Sequence, residues 1–75
     1  MTEYELGQIL NEMYEKGVHM KEGAAHIHLF GIKYADEIRN NRLSIKEIVK
    51  YSGISASYYA EVNKGINLAK YVVIK

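Results

Sequence analysis

Ser44 and Glu47 stand three residues apart at the head of an apolar stripe, and a glycine, Gly53, follows where that stripe ends. Ser-x-x-Glu is a capping box: the hydroxyl takes an orphan backbone N–H of the first turn, and the carboxylate reaches back to the N–H of the cap itself. It fixes the start of a short helix on which Ile45, Ile48 and Val49 share one face. Gly53 can adopt the left-handed conformation that ends this helix, Ser55 can cap the next one, and Gly65 is placed to stop it. Two helices joined by so few residues cross steeply. The expectation is an all-α protein, a small helical bundle built around this turn.

The flanking sequence extends the same architecture. Thr2 and Glu5 form another capping box, followed at helical spacing by Leu6, Ile9, Leu10, Met13 and Tyr14. A first helix is predicted from about Glu3 to Lys16, stopped by Gly17, with Val18 to Gly23 as a loop. Ile27, Phe30, Gly31, Tyr34, Ala35 and Ile38 form a second apolar stripe, with Lys33, Asp36 and Glu37 on its wet side. Gly31 costs about 1 kcal/mol relative to Ala inside a helix, so a close helix crossing is expected there. Asn40, Asn41 and Arg42 interrupt the pattern. The third helix is predicted over about Ile45 to Tyr51 and the fourth over about Ala56 to Lys64. Beyond Gly65 the apolar residues Ile66, Leu68, Tyr71, Val72 and Ile74 have mixed period, and a β-branched strand and a fifth helix both stay open. The chain reads as a single domain over 1–75, with an N-terminal accessory helix and loop over 1–23, a two-helix core over 24–66 and a tail over 67–75.

With 75 residues there is room for one hydrophobic core. The absence of Cys excludes disulfides and thiolate metal sites, and 48% hydrophobic residues without Pro argue for a folded, helix-rich chain. Nothing resembles a signal peptide or a bilayer-spanning run, so a cytoplasmic protein without a membrane partner is expected. Seven Tyr suit the boundary between core and surface. The net charge of +1 conceals an asymmetry. Residues 1 to 37 carry seven acids against three bases, a net −4, whereas residues 38 to 75 carry seven bases against two acids, a net +5. A polyanion is attracted to the second half and repelled by the first.

In register, Ser44 to Ser55 reads S-I-K-E-I-V-K-Y-S-G-I-S and closes at Gly65. The segment from about Ile27 to Gly65 resembles the helix-turn-helix domain of Xre/Cro-type phage repressors. Their motif runs Thr-Gln-x-x-Leu-Ala-x-x-x-Gly-Val-Ser and closes on a glycine at the same spacing. Val49 stands where that family usually has Ala, and Ile45 where it often has a Gln that touches the DNA backbone. The resemblance implies double-stranded DNA as partner, with the fourth helix in the major groove. Carried over position by position, the base-facing residues are Ser55, Ala56, Ser57, Ala60, Glu61 and Lys64, while Ile54, Tyr59 and Val62 turn into the core. Arg42, Lys46, Lys50 and Tyr58 are the implied contacts to the DNA backbone. The base-facing set holds no Arg, Asn or Gln near the helix start, so charge is expected to dominate affinity. A homodimer is expected, because palindromic sites are gripped by two copies.

Two other classes compete with this reading. The same scaffold can serve as a protein-interaction module, with Tyr51, Tyr58, Tyr59 and the acidic first helix as contact surface. Catalysis has little support. His26 and His28, two apart on a helix, point to different sides and no third ligand converges with them, so neither a metal nor a cofactor is expected. No nucleophile motif or phosphate cradle is present, and the chain is expected not to be an enzyme.

Overall fold

Thr2 opens the first helix with both halves of its capping box made: its hydroxyl accepts from the Glu5 N–H at 3.1 Å, and its own N–H donates to Glu5 Oε1 at 2.8 Å. The computed structural model describes all 75 residues. Helix α1 covers Glu3–His19, α2 covers Gly23–Asn40, α3 covers Ile45–Ser52 and α4 covers Tyr59–Leu68, with a 3-10 turn over Ala56–Tyr58 leading into α4. The protein is thus a small all-α bundle without strands. No helix is long and apolar enough to cross a membrane.

The apolar stripes meet in one core. Leu6 and Leu10 of α1, Ile27 and Phe30 of α2, Ile48 of α3 and Val62 of α4 are fully buried. Burying each of these side chains stabilises the fold by about 2 kcal/mol relative to leaving it in water. Ala35, Ile38, Val49 and Ile66 complete the cluster, and Ile9, Met13, Tyr14 and Tyr34 pack at its edge. Helix α3 packs chiefly on α1, α4 packs chiefly on α2, and α1 lies against α2. The first helix is therefore part of the same core as the two-helix unit.

Two glycines expected to stop helices lie inside them. Helix α1 runs through Gly17 to His19, and α4 runs through Gly65 to Leu68. Both are buried where another backbone comes close. A Cβ on Gly17 would sit 2.8 Å from the Glu22 carbonyl oxygen and from His26 Cβ. One on Gly65 would collide with the His28 carbonyl and stand 3.0 Å from Gly31 Cα. The crossing expected at Gly31 is present from the other side, since a Cβ there would lie 2.6 Å from the Val62 carbonyl oxygen. Gly53 alone among the glycines has positive φ, at 76°. It ends α3 as the sequence predicts.

Beyond Leu68 the chain turns through Ala69–Tyr71, and neither a strand nor a fifth helix forms over 72–75. Val72, Val73 and Ile74 instead border a shallow groove with Ile32, Lys33, Ala35 and Asp36 of α2. A β-branched run needs a partner strand to pair with, and the bundle offers none.

Candidate nucleic-acid interface

Helix α3 begins on the Ser44 hydroxyl, which accepts from the Glu47 N–H at 3.2 Å. The return bond expected from Glu47 comes instead from α1, where Glu3 Oε2 accepts from the Ser44 N–H. At the other end, Gln8 Nε2 donates to the Tyr51 carbonyl at 3.2 Å and Asn11 Nδ2 to the Ser52 carbonyl at 2.8 Å. The Gly53 N–H closes the helix on the Lys50 carbonyl at 3.2 Å. Inside the turn, the Ser52 hydroxyl donates to the Val49 carbonyl and accepts from the Ile54 N–H at 3.2 Å. These bonds satisfy orphan backbone groups at both helix ends. The backbone of α3 is thereby anchored, and Lys46 and Lys50 are exposed on it, one turn apart.

Ser55 also acts as a cap, accepting from the Ser57 N–H at 3.3 Å, but the element it opens is the 3-10 turn Ala56–Tyr58. The turn replaces the first helical turn expected there, and two residues at its junction with α4 face otherwise than expected. Tyr59, expected in the core, is 42% exposed. Tyr58, expected on the DNA backbone, packs inward with its ring centroid 5.2 Å from that of Tyr14 and its hydroxyl 3.2 Å from the Tyr14 hydroxyl. This hydrogen bond, and after it desolvation, pushes the Tyr14 hydroxyl above the usual tyrosine range.

Glu61 is also turned from the outward position the motif register gives it. His28 Nε2 donates to its Oε1 at 2.7 Å and Lys64 Nζ to its Oε2 at 3.2 Å, and the carboxylate is 24% exposed. The His28 hydrogen bond first, and that of Lys64 second, hold the Glu61 carboxyl below the usual glutamate range. An acid that would repel phosphate is thus partly neutralised within the fold. Lys64 remains 65% exposed while making that pair.

The other sequence-predicted residues are at the surface. Ser55, Ala56, Ser57 and Ala60 are exposed on the turn and the start of α4, and Ile54 and Val62 face inward. Between α3 and this segment runs an open groove of about 600 Å³ lined by Lys46, Val49, Lys50, Gly53, Ile54, Ala56 and Tyr59, with no acid among them. Arg42 is exposed in the turn between α2 and α3, with φ 52°, and does not line the groove. Arg39, a base of the same positive half, is engaged inside the protein: its Nη2 donates to the Ile66 carbonyl at 3.0 Å near the end of α4. His26 Nδ1 lies 3.0 Å from the Glu22 carbonyl oxygen, on a different contact from that of His28.

Two outward residues are missed by sequence reasoning, Tyr59 and Asn63. The signal for them is the glycine at 65. Once Gly65 is recognised as a crossing residue, Val62, Gly65 and Ile66 define the inner face of α4, and Tyr59, Asn63 and Asn67 form an exposed stripe along one flank at successive turns.

A protein-family model described as an HTH-like domain matches residues 2–75. No curated protein and no solved structure matches the chain. The match begins at the cap of α1 and runs to the last residue, so the helix that brackets α3 belongs to the family's unit as much as the turn does. This chain is a member of the HTH-like domain family.

Proposed function

We propose that this protein binds duplex DNA through α3, the 3-10 turn and the outer face of α4, as a regulator of transcription or an accessory factor acting in the cytoplasm. One observation carries the reading: the groove between α3 and α4 is flanked by the free ammonium groups of Lys46 and Lys50, holds no acid, and opens onto an α4 face that no other helix covers. In a helix-turn-helix docking, the second helix enters the major groove while the first crosses the backbone. Lys46 and Lys50 then neutralise phosphates and hold the register, with Lys64 and Arg42 adding charge at the flanks. Ser55 and Ser57 present hydroxyls, and Ala56 and Ala60 present methyl groups small enough to let the backbone of α4 approach base edges. Two copies on a two-fold symmetric site would double the contact area of so small a module.

Binding of a fluorescent mixed-sequence duplex, monitored by anisotropy, tests the proposal. With about four phosphates neutralised, affinity should fall about a hundredfold between about 50 mM and about 200 mM salt. The Lys46→Glu/Lys50→Glu double variant should bind at least about tenfold more weakly at the lower salt. Affinity indifferent to salt and to both substitutions would remove DNA from consideration. The apolar lining of the same groove, Val49, Ile54, Ala56 and Tyr59, favours protein binding as the second reading.

A further inference from the structure

The packing of α4 decides which side chain is available to read a base. Of the residues the motif register points at DNA, Ser55, Ala56, Ser57 and Ala60 are short, Glu61 is held by His28 and Lys64, and Lys64 is paired with Glu61. None of these is placed to tell one base pair from another with two directed hydrogen bonds. Asn63 is different. It is exposed, it is the fifth residue of α4, and it lies one turn beyond the groove-lining Tyr59, about 100° round the helix from the buried Val62. No side chain of the fold engages its amide. The exposed residues a turn before it, Tyr59 and Ala60, carry no charge.

We propose that Asn63 is the specificity-determining residue of this interface and reads an adenine in the major groove. The inference rests on the DNA-binding reading of the α3–α4 face. A side-chain amide is complementary to the exposed edge of adenine: Oδ1 accepts from the N6 amino group while Nδ2 donates to N7, and no other base presents that pair in that order. Ala60, three residues before Asn63, is placed to meet the methyl group of a neighbouring thymine. Lys46 and Lys50 supply affinity without sequence preference, so the two functions lie on separate helices. The fold fixes the amide through Gly31 and Gly65, whose close contact sets the rotation of α4 about its own axis.

Selection from a pool of duplexes with a randomised centre separates these functions. The full chain should enrich one adenine position in each bound site. Asn63→Ala should erase that preference while binding the unselected pool within about twofold of the parent, because no phosphate contact is lost. Replacing the enriched adenine by 7-deazaadenine, which lacks the N7 acceptor, should weaken the parent by at least about fivefold and leave Asn63→Ala unaffected. An enriched position that survives Asn63→Ala, or salt-sensitive binding with no enrichment at all, overturns the assignment and leaves the DNA reading intact. Absence of salt-sensitive binding to any duplex overturns both. Far-UV circular dichroism of Asn63→Ala, expected to match the parent because the residue is exposed, separates lost readout from lost fold.

Discussion

On one side of the molecule, polar side chains of α1 reach the free backbone groups at both ends of α3, Glu3 at its start and Gln8 and Asn11 at its finish. On the other side, α4 meets α2 along its back, where Gly31 and Gly65 bring the two backbones together without side chains between them. The two attachments control different coordinates. Bonds at the ends fix where α3 sits along its axis, and its rotation is set by the burial of Ile48 and Val49. A glycine contact fixes the rotation and the spacing together, because only the side without a Cβ can come so close. For an interface, rotation decides which side chains face the ligand. The α4 attachment therefore sets the reading surface, and the α3 attachment sets where the helix that carries the lysines lies.

The comparison breaks most sharply at Gly65. Gly65→Ala should destabilise the protein by about 3 kcal/mol, since its methyl group would have to displace either the α2 backbone or α4 itself. Gly53→Ala meets nothing within 4 Å and carries only the strain of φ 76°, so it should cost about 1 kcal/mol. Urea unfolding monitored by circular dichroism would measure both. Equal losses would mean that the α2–α4 contact is not the fixed point of the fold.

That pair of glycines also marks where the sequence is readable and where it is not. Ser44, Gly53 and Ser55 announce local events, a cap, a left-handed stop and a second cap, and each forms within a few residues of its own position. Local chemistry of this kind is written in adjacent letters. Gly17 and Gly65 look the same as Gly53 in the sequence but owe their identity to residues beyond their own helix, so they read as stops and are crossings. Gly31 is legible because it interrupts an otherwise uniform apolar stripe, where only a tertiary contact explains a residue that weakens the helix. The 3-10 turn before α4 is equally unannounced, and it is there that Tyr59 is read as inside and Tyr58 as outside. The lysines at 46 and 50 are untouched by it, because the Ser44 cap and the Gly53 stop that bound α3 are readable, although the bonds to its ends from Glu3, Gln8 and Asn11 are not.

The α1 side is sharpened by Asn11. Asn11→Ala removes the donor to the Ser52 carbonyl in a partly buried bond and should cost about 1 kcal/mol, with Gln8→Ala costing less because its bond to the Tyr51 carbonyl is exposed. Hydrogen exchange would locate the effect. Amides of α3 should lose protection in Asn11→Ala before those of α4 do, as expected if the two helices are attached independently. Uniform loss over both would show that they open as one unit.

The smallest effect concerns the polar contact on the α4 side, the Glu61 carboxylate between His28 and Lys64. Its pKa is lowered by the His28 hydrogen bond first, so the ionised form is the one the fold favours. A depressed acid contributes stability that is fully present above its ordinary value of 4.5 and is lost as pH falls through the lowered one. The carboxyl carbon resonance of Glu61 should accordingly titrate below the ordinary glutamate midpoint in the parent. His28→Ala should move that midpoint back toward the ordinary value and Lys64→Ala should move it less, in the order of the two causes. Both variants should leave the α3 amides unshifted, because the hydrogen bonds of this cluster join α2 to α4 and reach neither α1 nor α3. A midpoint indifferent to His28→Ala would detach Glu61 from α2, and the rotation of α4 would then rest on the glycine pair alone.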